Sequence, residues 1–173
     1  MTRESMTRAF LWVSVTAWGI GLGAKIFDLL VLATAWGASP PRSFDLLPYG
    51  KQFPIDPGTF FQPLSFFILL GSLGALMSSW KTPKTYRNWL WLAAGSLILI
   101  WILTPTVFWP MINELWDTHR DRIVRNEGQS IALVHRWMLF DSLRVAVIAV
   151  GFFSSVKAIS LPYPAELDAG PSS

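Results

Sequence analysis

Two short strings carry ionisable residues into apolar surroundings, and both could do chemistry. The first is KIFD, with Lys25 and Asp28 three residues apart. The second is WMLFDSLR, with Trp137, Asp141 and Arg144. At about 100° per residue, these last three fall within roughly 60° of one another on a helix, and His135 points nearly opposite to Trp137. A carboxylate in an apolar setting can take a proton, and a lysine or arginine can hold a developing oxyanion. An indole offers a flat face for stacking. A third candidate, Asn113 with Glu114, follows Pro105 and Pro110, and Asn113 shares a helical side with Thr106, Trp109 and Trp116. Each group has a plainer reading as well. Lys25–Asp28 can be a structural ion pair or lie near an interface, Asn113–Glu114 a solvated helix end, and His135 a surface residue. Asp141 with Arg144 can simply lock a helix to its neighbours.

The elements that must position these residues are apolar blocks. They run over about 9–36, 60–80, 89–115 and 131–156, each long enough to cross a bilayer at about 1.5 Å per residue. Only 14% of the 173 residues are charged, against about a quarter in soluble domains. The blocks are continuous rather than alternating, which argues against a transmembrane β-barrel. The expected fold is all-α: one integral membrane bundle of four transmembrane helices, with a proline-rich loop over 38–59 between helices one and two. The aromatic residues in and beside that loop suit a cap packed on the bundle. Pro105 should kink or loosen the end of helix three. The small residues of GSLGALMSS suit close helix packing. The basic N-terminus followed by a long apolar run reads as a retained first helix, not a cleaved signal, and the short, small and polar tail after Lys157 as a frayed end.

Composition excludes several function classes. No cysteine is present, so disulfides, thiolate metal sites and cysteine-ligated clusters are out. The two histidines, His119 and His135, have no metal-ligand spacing, and no metal or other cofactor is expected. No phosphate-binding glycine motif occurs. The net charge of +3 is scattered, which gives no support to a nucleic-acid partner. Expected partners are membrane lipids and either a hydrophobic small molecule or other membrane subunits. Many of the ten tryptophans, among them Trp36, Trp80 and Trp116, sit at block ends, where indoles anchor at headgroup level. The cluster Lys81, Lys84 and Arg87 tips the expected orientation toward both termini cytoplasmic, in a multi-pass plasma-membrane protein.

Several pieces together resemble the anthrone-oxygenase-like family of small four-helix membrane proteins. They are Gly21 and Gly23 followed by KIFD, Pro63 early in the second segment, and Tyr86-Arg87-Asn88 before the third helix. Thr104, the string PMIN (110–113), and Trp137 with Asp141 and Arg144 complete the set. The resemblance spans roughly residues 10–156. Asp141 stands where the family commonly has asparagine, and Lys25 adds a charge in helix one. The resemblance implies cofactor-independent oxygenation of a polycyclic phenolic substrate. On that reading Asp28, Glu114, Asp141 or His135 supplies a base, Arg144 or Lys25 steadies an anion, and Trp137 and Trp109 stack on the ring. Asn113 completes the candidate catalytic set with Asp28, Asp141 and Arg144, while Lys25, Trp109, Trp137 and Glu114 form the candidate substrate-binding set. The alternative is a non-catalytic accessory subunit of a larger membrane complex. Close packing of helices one, three and four around Lys25, Asn113, Asp141 and Arg144, with a cavity there, would favour the enzyme, and Asp141 and Arg144 facing lipid or another chain would favour the subunit.

Overall fold

The computed structural model describes residues 2–47, 57–120 and 122–164. Four helices long and apolar enough to cross a membrane make up nearly all of it. We label them α1 (Arg3–Trp36), α2 (Pro57–Ser78), α3 (Lys84–His119) and α4 (Glu127–Ser160). No strand occurs among the described residues. The helices form a ring in which α1 packs on α2 and α4, and α3 packs on α4 and more loosely on α2. Broad apolar faces remain outside, including Trp12, Phe67, Met77, Leu139 and Phe153. Water would penalise such a surface, whereas hydrocarbon does not. The molecule is an all-α integral membrane bundle.

The helices extend beyond their apolar blocks because local caps carry them into polar sequence. Thr2 accepts the amide of Ser5 at the start of α1. Asn126 and Gln129 form a reciprocal capping box at the start of α4. Pro83 precedes α3 and Pro57 opens α2, positions where the missing N–H costs nothing. Pro63, early in the second apolar block, therefore lies well inside α2. Hydropathy alone marks where lipid begins, not where hydrogen-bonded helix begins.

Two helices each contain one widened π turn, Asp28–Leu32 in α1 and Thr104–Phe108 in α3. In α3 the cause is visible. Pro105 has no N–H and its ring crowds the carbonyl four residues back, and the wider turn accommodates both defects without breaking the helix. The helix then runs on to His119.

The end of the bundle near the chain termini is tightly closed. A Cβ added at Gly71 would lie 2.6 Å from the Ser14 amide nitrogen and 2.9 Å from the Phe10 carbonyl oxygen. The Ser14 hydroxyl is 3.0 Å from those of both Ser72 and Ser155. These contacts tie α1, α2 and α4 together through small residues, as membrane helices commonly associate.

At the opposite end the chain after α1 folds back as a 3₁₀ turn, Arg42–Leu46. Phe44 and Leu47 from this segment are fully buried with Trp36, Leu133 and Trp137. The segment 38–47 is thus packed on the bundle as a cap. Of the rest of the expected loop, residues 57–59 belong to α2, whose helix begins ahead of the apolar block; residues 48–56 and the tail from 165 onward lie outside the described residues. Trp36, expected as an interfacial anchor, is instead 0% exposed, because the turned-back segment covers it.

Gly71→Ala should lower thermal stability by about 1–3 kcal/mol, the usual cost of overpacking. Gly95→Ala, where a Cβ meets nothing within 4 Å, should be neutral or stabilise by up to about 1 kcal/mol through helix propensity. Thermal unfolding in detergent, followed by circular dichroism, measures both. Equal behaviour of the two variants would mean that α1 and α2 do not approach this closely.

Candidate functional site

Between the closed end and the capped end, four charged side chains meet inside the bundle. Lys25 and Asp28 come from the last turns of α1, Asp141 and Arg144 from the middle of α4. Lys25 donates to Asp28 through its Nζ and lies 3.0 Å from Asp141 Oδ2. Asp141 Oδ2 receives no hydrogen bond of good angle, so this second contact is one of charge. Arg144 donates to the other oxygen of Asp141. The order is Asp28–Lys25–Asp141–Arg144, with alternating sign and no net charge. Three of the four are at most 4% exposed, and the Arg144 side chain is 12% exposed.

Aromatic rings wall in the cluster. The Arg144 guanidinium carbon lies 3.7 Å from the centre of the Phe108 ring, a close cation–π contact. Lys25 Nζ lies 5.5 Å from the Trp137 ring and 5.9 Å from that of Phe61. Trp137 meets Trp36 edge-on at 5.0 Å, which closes the capped side. Phe108 owes its position to the π turn it ends, and Asp28 begins the π turn of α1. Such turns are frequent at functional sites.

A cavity of about 340 Å³ adjoins the cluster, within the usual range of about 300–1,000 Å³ for ligand pockets. Its lining is mostly apolar, with Trp18, Phe61, Ile68 and Ile148 among the walls. Lys25 and Arg144 line it, whereas Asp28, Asp141 and Trp137 do not. The cations therefore face the cavity and the carboxylates stand behind them. The two nearby hydroxyls are already engaged, Ser65 donating to the Gln62 carbonyl and Thr104 to that of Ile100. The arrangement can bind a hydrophobic molecule whose oxygen accepts from a cation, and can stabilise negative charge on that oxygen.

The structure brings five of the expected site residues to this place: Lys25, Asp28, Trp137, Asp141 and Arg144. Trp109 also lines the cavity, at its rim and 57% exposed. Two others lie elsewhere. Asn113 is exposed and does not line the cavity. Glu114 accepts from Arg125 and Arg136, where it ties the end of α3 to the start of α4. His135 is exposed, away from Trp137 as the helical angle requires. Sequence reasoning missed Phe108, Phe61 and Trp18. Phe108 had one signal, its place three residues after Pro105. Phe61 and Trp18 had none that separates them from other apolar helix residues. Among the described residues, no group of acidic or histidine side chains could hold a metal ion.

Removing one charge from the cluster strands its partner. Lys25→Met leaves two carboxylates against one arginine and should cost about 3–5 kcal/mol. Adding Asp28→Asn restores balance, since Asp141 and Arg144 remain as a pair. The double variant should therefore be more stable than the two separate losses predict, with coupling of about 0.5–3 kcal/mol. Thermal unfolding of the four-member cycle in detergent measures this, and strictly additive losses would mean the two side chains do not share a charge.

In comparisons with known proteins, the sequence model of the family described as Anthrone oxygenase matches residues 55–154, more than half of the chain. No curated protein and no solved structure matches.

Proposed function

The chain belongs to the anthrone oxygenase family, and from that premise we propose that it is a membrane oxidoreductase that oxygenates a polycyclic phenolic or quinone-like substrate held inside the bundle. One observation carries the reading: an apolar cavity of about 340 Å³ whose charged lining residues are both cations, Lys25 and Arg144. An electron-rich ring anion is the form of such a substrate that reacts with O₂. If a ring methylene becomes a carbonyl, one oxygen atom enters the product and the other leaves as water, so O₂ is itself the oxidant and the carbon gives up the electrons. The site's task is then to make the substrate anion cheap. Lys25 and Arg144 face the cavity and would hold its oxyanion in a setting of low dielectric.

Asp28 and Asp141 sit behind these cations and are assigned a positioning role. They orient Lys25 and Arg144 and offset their charge, and Lys25 is the group through which a proton leaving the substrate reaches either carboxylate. Trp109 is assigned to the rim, against the flat face of the ligand. Trp137 supports Lys25 from the side away from the cavity. Asn113 and Glu114 have no part in this assignment, given their positions. The inward placement of Asp141 and Arg144 beside a cavity weighs for an enzyme over a non-catalytic subunit. The partners on this reading are membrane lipids and the hydrophobic substrate.

The setting proposed is the plasma membrane with both termini cytoplasmic. The α2–α3 hairpin carries Lys81, Lys84 and Arg87 at the same end as the termini, which agrees with the rule that favours basic loops inside. The cavity then lies toward the outer half of the bundle.

The purified protein in lipid nanodiscs should consume O₂ and form quinone product from a dihydroxyanthrone faster than heat-denatured protein does. Arg144→Gln should lower kcat/KM by about 10²–10³-fold, as loss of an oxyanion donor does. Arg144→Lys should recover part of it, keeping the charge but losing the planar fork. An oxygen electrode and absorbance of the quinone give both readouts. No enzymatic rate above the spontaneous one with any hydroxylated anthrone would sink the oxygenase reading.

A further inference from the structure

We infer that the cavity takes its ligand sideways from the bilayer, through a slot between α2 and α3, with the ligand's oxygen leading toward Lys25 and Arg144. This deepens the reading of the cavity as the substrate site, and it rests on that reading.

The packing of neighbouring helices is loosest between α2 and α3. α1 is tightly bound to α2 and α4, and α4 to α3. α2 packs on α3 along the Lys84–Leu103 part of that helix, while the part beyond Thr104 packs on α4 and on the Arg42–Leu46 turn. The two helices are joined by a short connection at residues 79–83 and diverge from it. Where they diverge, each turns one stripe toward the cavity: Phe61, Leu64 and Ile68 from α2, and Leu97, Thr104 and Phe108 from α3. Each stripe has helical spacing of three, four or seven residues, so each is one face of its helix. Trp18, Lys25, Arg144 and Ile148 supply the remaining walls from α1 and α4.

The slot's chemistry selects its occupant. Its side walls are apolar, and Trp109 stands at the rim on α3, 57% exposed. Its inner end presents two cations and no free carboxylate. A flat hydrophobic molecule with an acceptor oxygen at one edge satisfies both ends at once, because the ring system stays in apolar surroundings from lipid to site. A water-borne polar substrate would lose its hydration along apolar walls with nothing in return. The widened turn Thr104–Phe108 supplies two of the lining residues, Thr104 and Phe108.

The chain contains no cysteine, which permits a clean test in nanodiscs holding the full protein. Spin labels are placed singly at Ser65→Cys and Trp109→Cys on the slot. Phe67→Cys on the lipid face and Val124→Cys in the α3–α4 connection, 93% exposed, serve as references. Collision with O₂, which partitions into lipid, is compared with collision by a water-soluble nickel chelate. Slot labels should show a severalfold higher O₂-to-nickel ratio than Val124→Cys and resemble Phe67→Cys. A ratio like that of Val124→Cys, or no access by either reagent, overturns lateral entry. A dihydroxyanthraquinone should then reduce O₂ collision at Ser65→Cys severalfold, while oleate should not. Protection by oleate alone, by both compounds equally, or by neither overturns the aromatic ligand. If Ser65→Cys does not fold, Trp109→Cys carries both measurements. Lipid access and anthraquinone protection without any turnover of anthrones would uphold the slot and overturn the oxygenase activity, so the two failures are distinguishable.

Discussion

Everything at the centre of this bundle depends on Lys25 being held between two carboxylates. A charge on a single helix at mid-membrane costs about 2.5–3.5 kcal/mol on insertion scales. Four such residues, unpaired, would cost on the order of 10 kcal/mol by the same scale, comparable to the stability of a whole domain. Pairing within each helix answers only part of this. Asp28 sits one turn from Lys25 and Asp141 one turn from Arg144, but the contact of Lys25 with Asp141 joins the two pairs into one neutral row. That contact also fixes the height and rotation of α1 against α4. A slide of either helix by one turn would part Lys25 from Asp141.

The rest of the architecture serves that row. Small residues at the terminal end allow α1, α2 and α4 to touch backbone to side chain, which makes that end rigid. At the other end Trp36, Trp137 and Phe44 pack edge-on and tilted against one another over the charges and seal them from the capped side. Between the two seals, the π turns of α1 and α3 insert one extra residue each at the level of the charges. The bundle is thus closed above and below, with its loosest helix packing, between α2 and α3, beside the cavity that Lys25 and Arg144 line. The asymmetry combines firm placement of the charges with slack in the one pair of helices that does not carry them.

Much of the fold was legible along the chain. Unbroken apolar blocks fixed four helices and an integral membrane bundle, because no other spanning structure satisfies the backbone in lipid. The faces were legible too. Trp137, Asp141 and Arg144 share a side, and His135 points away, simply from 100° per residue. Lys25 with Asp28 was readable as a pair for the same reason. The helix ends were less legible, since capping residues carried α1, α3 and α4 into polar sequence. The tryptophan at 36 was misplaced, since nothing local says that the chain turns back over it. Asn113 and Glu114 looked equivalent to Asp141 by type, and only packing separates them: Glu114 meets Arg125 and Arg136, and Asn113 faces outward.

The sequence by itself therefore determined the solvent this protein lives in, the number of its helices and which charges share a helical face. These follow from hydropathy and from the fixed geometry of one helix. Tertiary structure alone decided that the pair on α1 and the pair on α4 form a single row, that Phe108 covers Arg144, and that the cations, not the carboxylates, line a cavity. Those facts depend on the relative rotation and height of separate helices, α1 against α4 and α3 against α4. No local periodicity encodes that relation; it is set when small residues, ring stacking and the demand for charge neutrality are satisfied together.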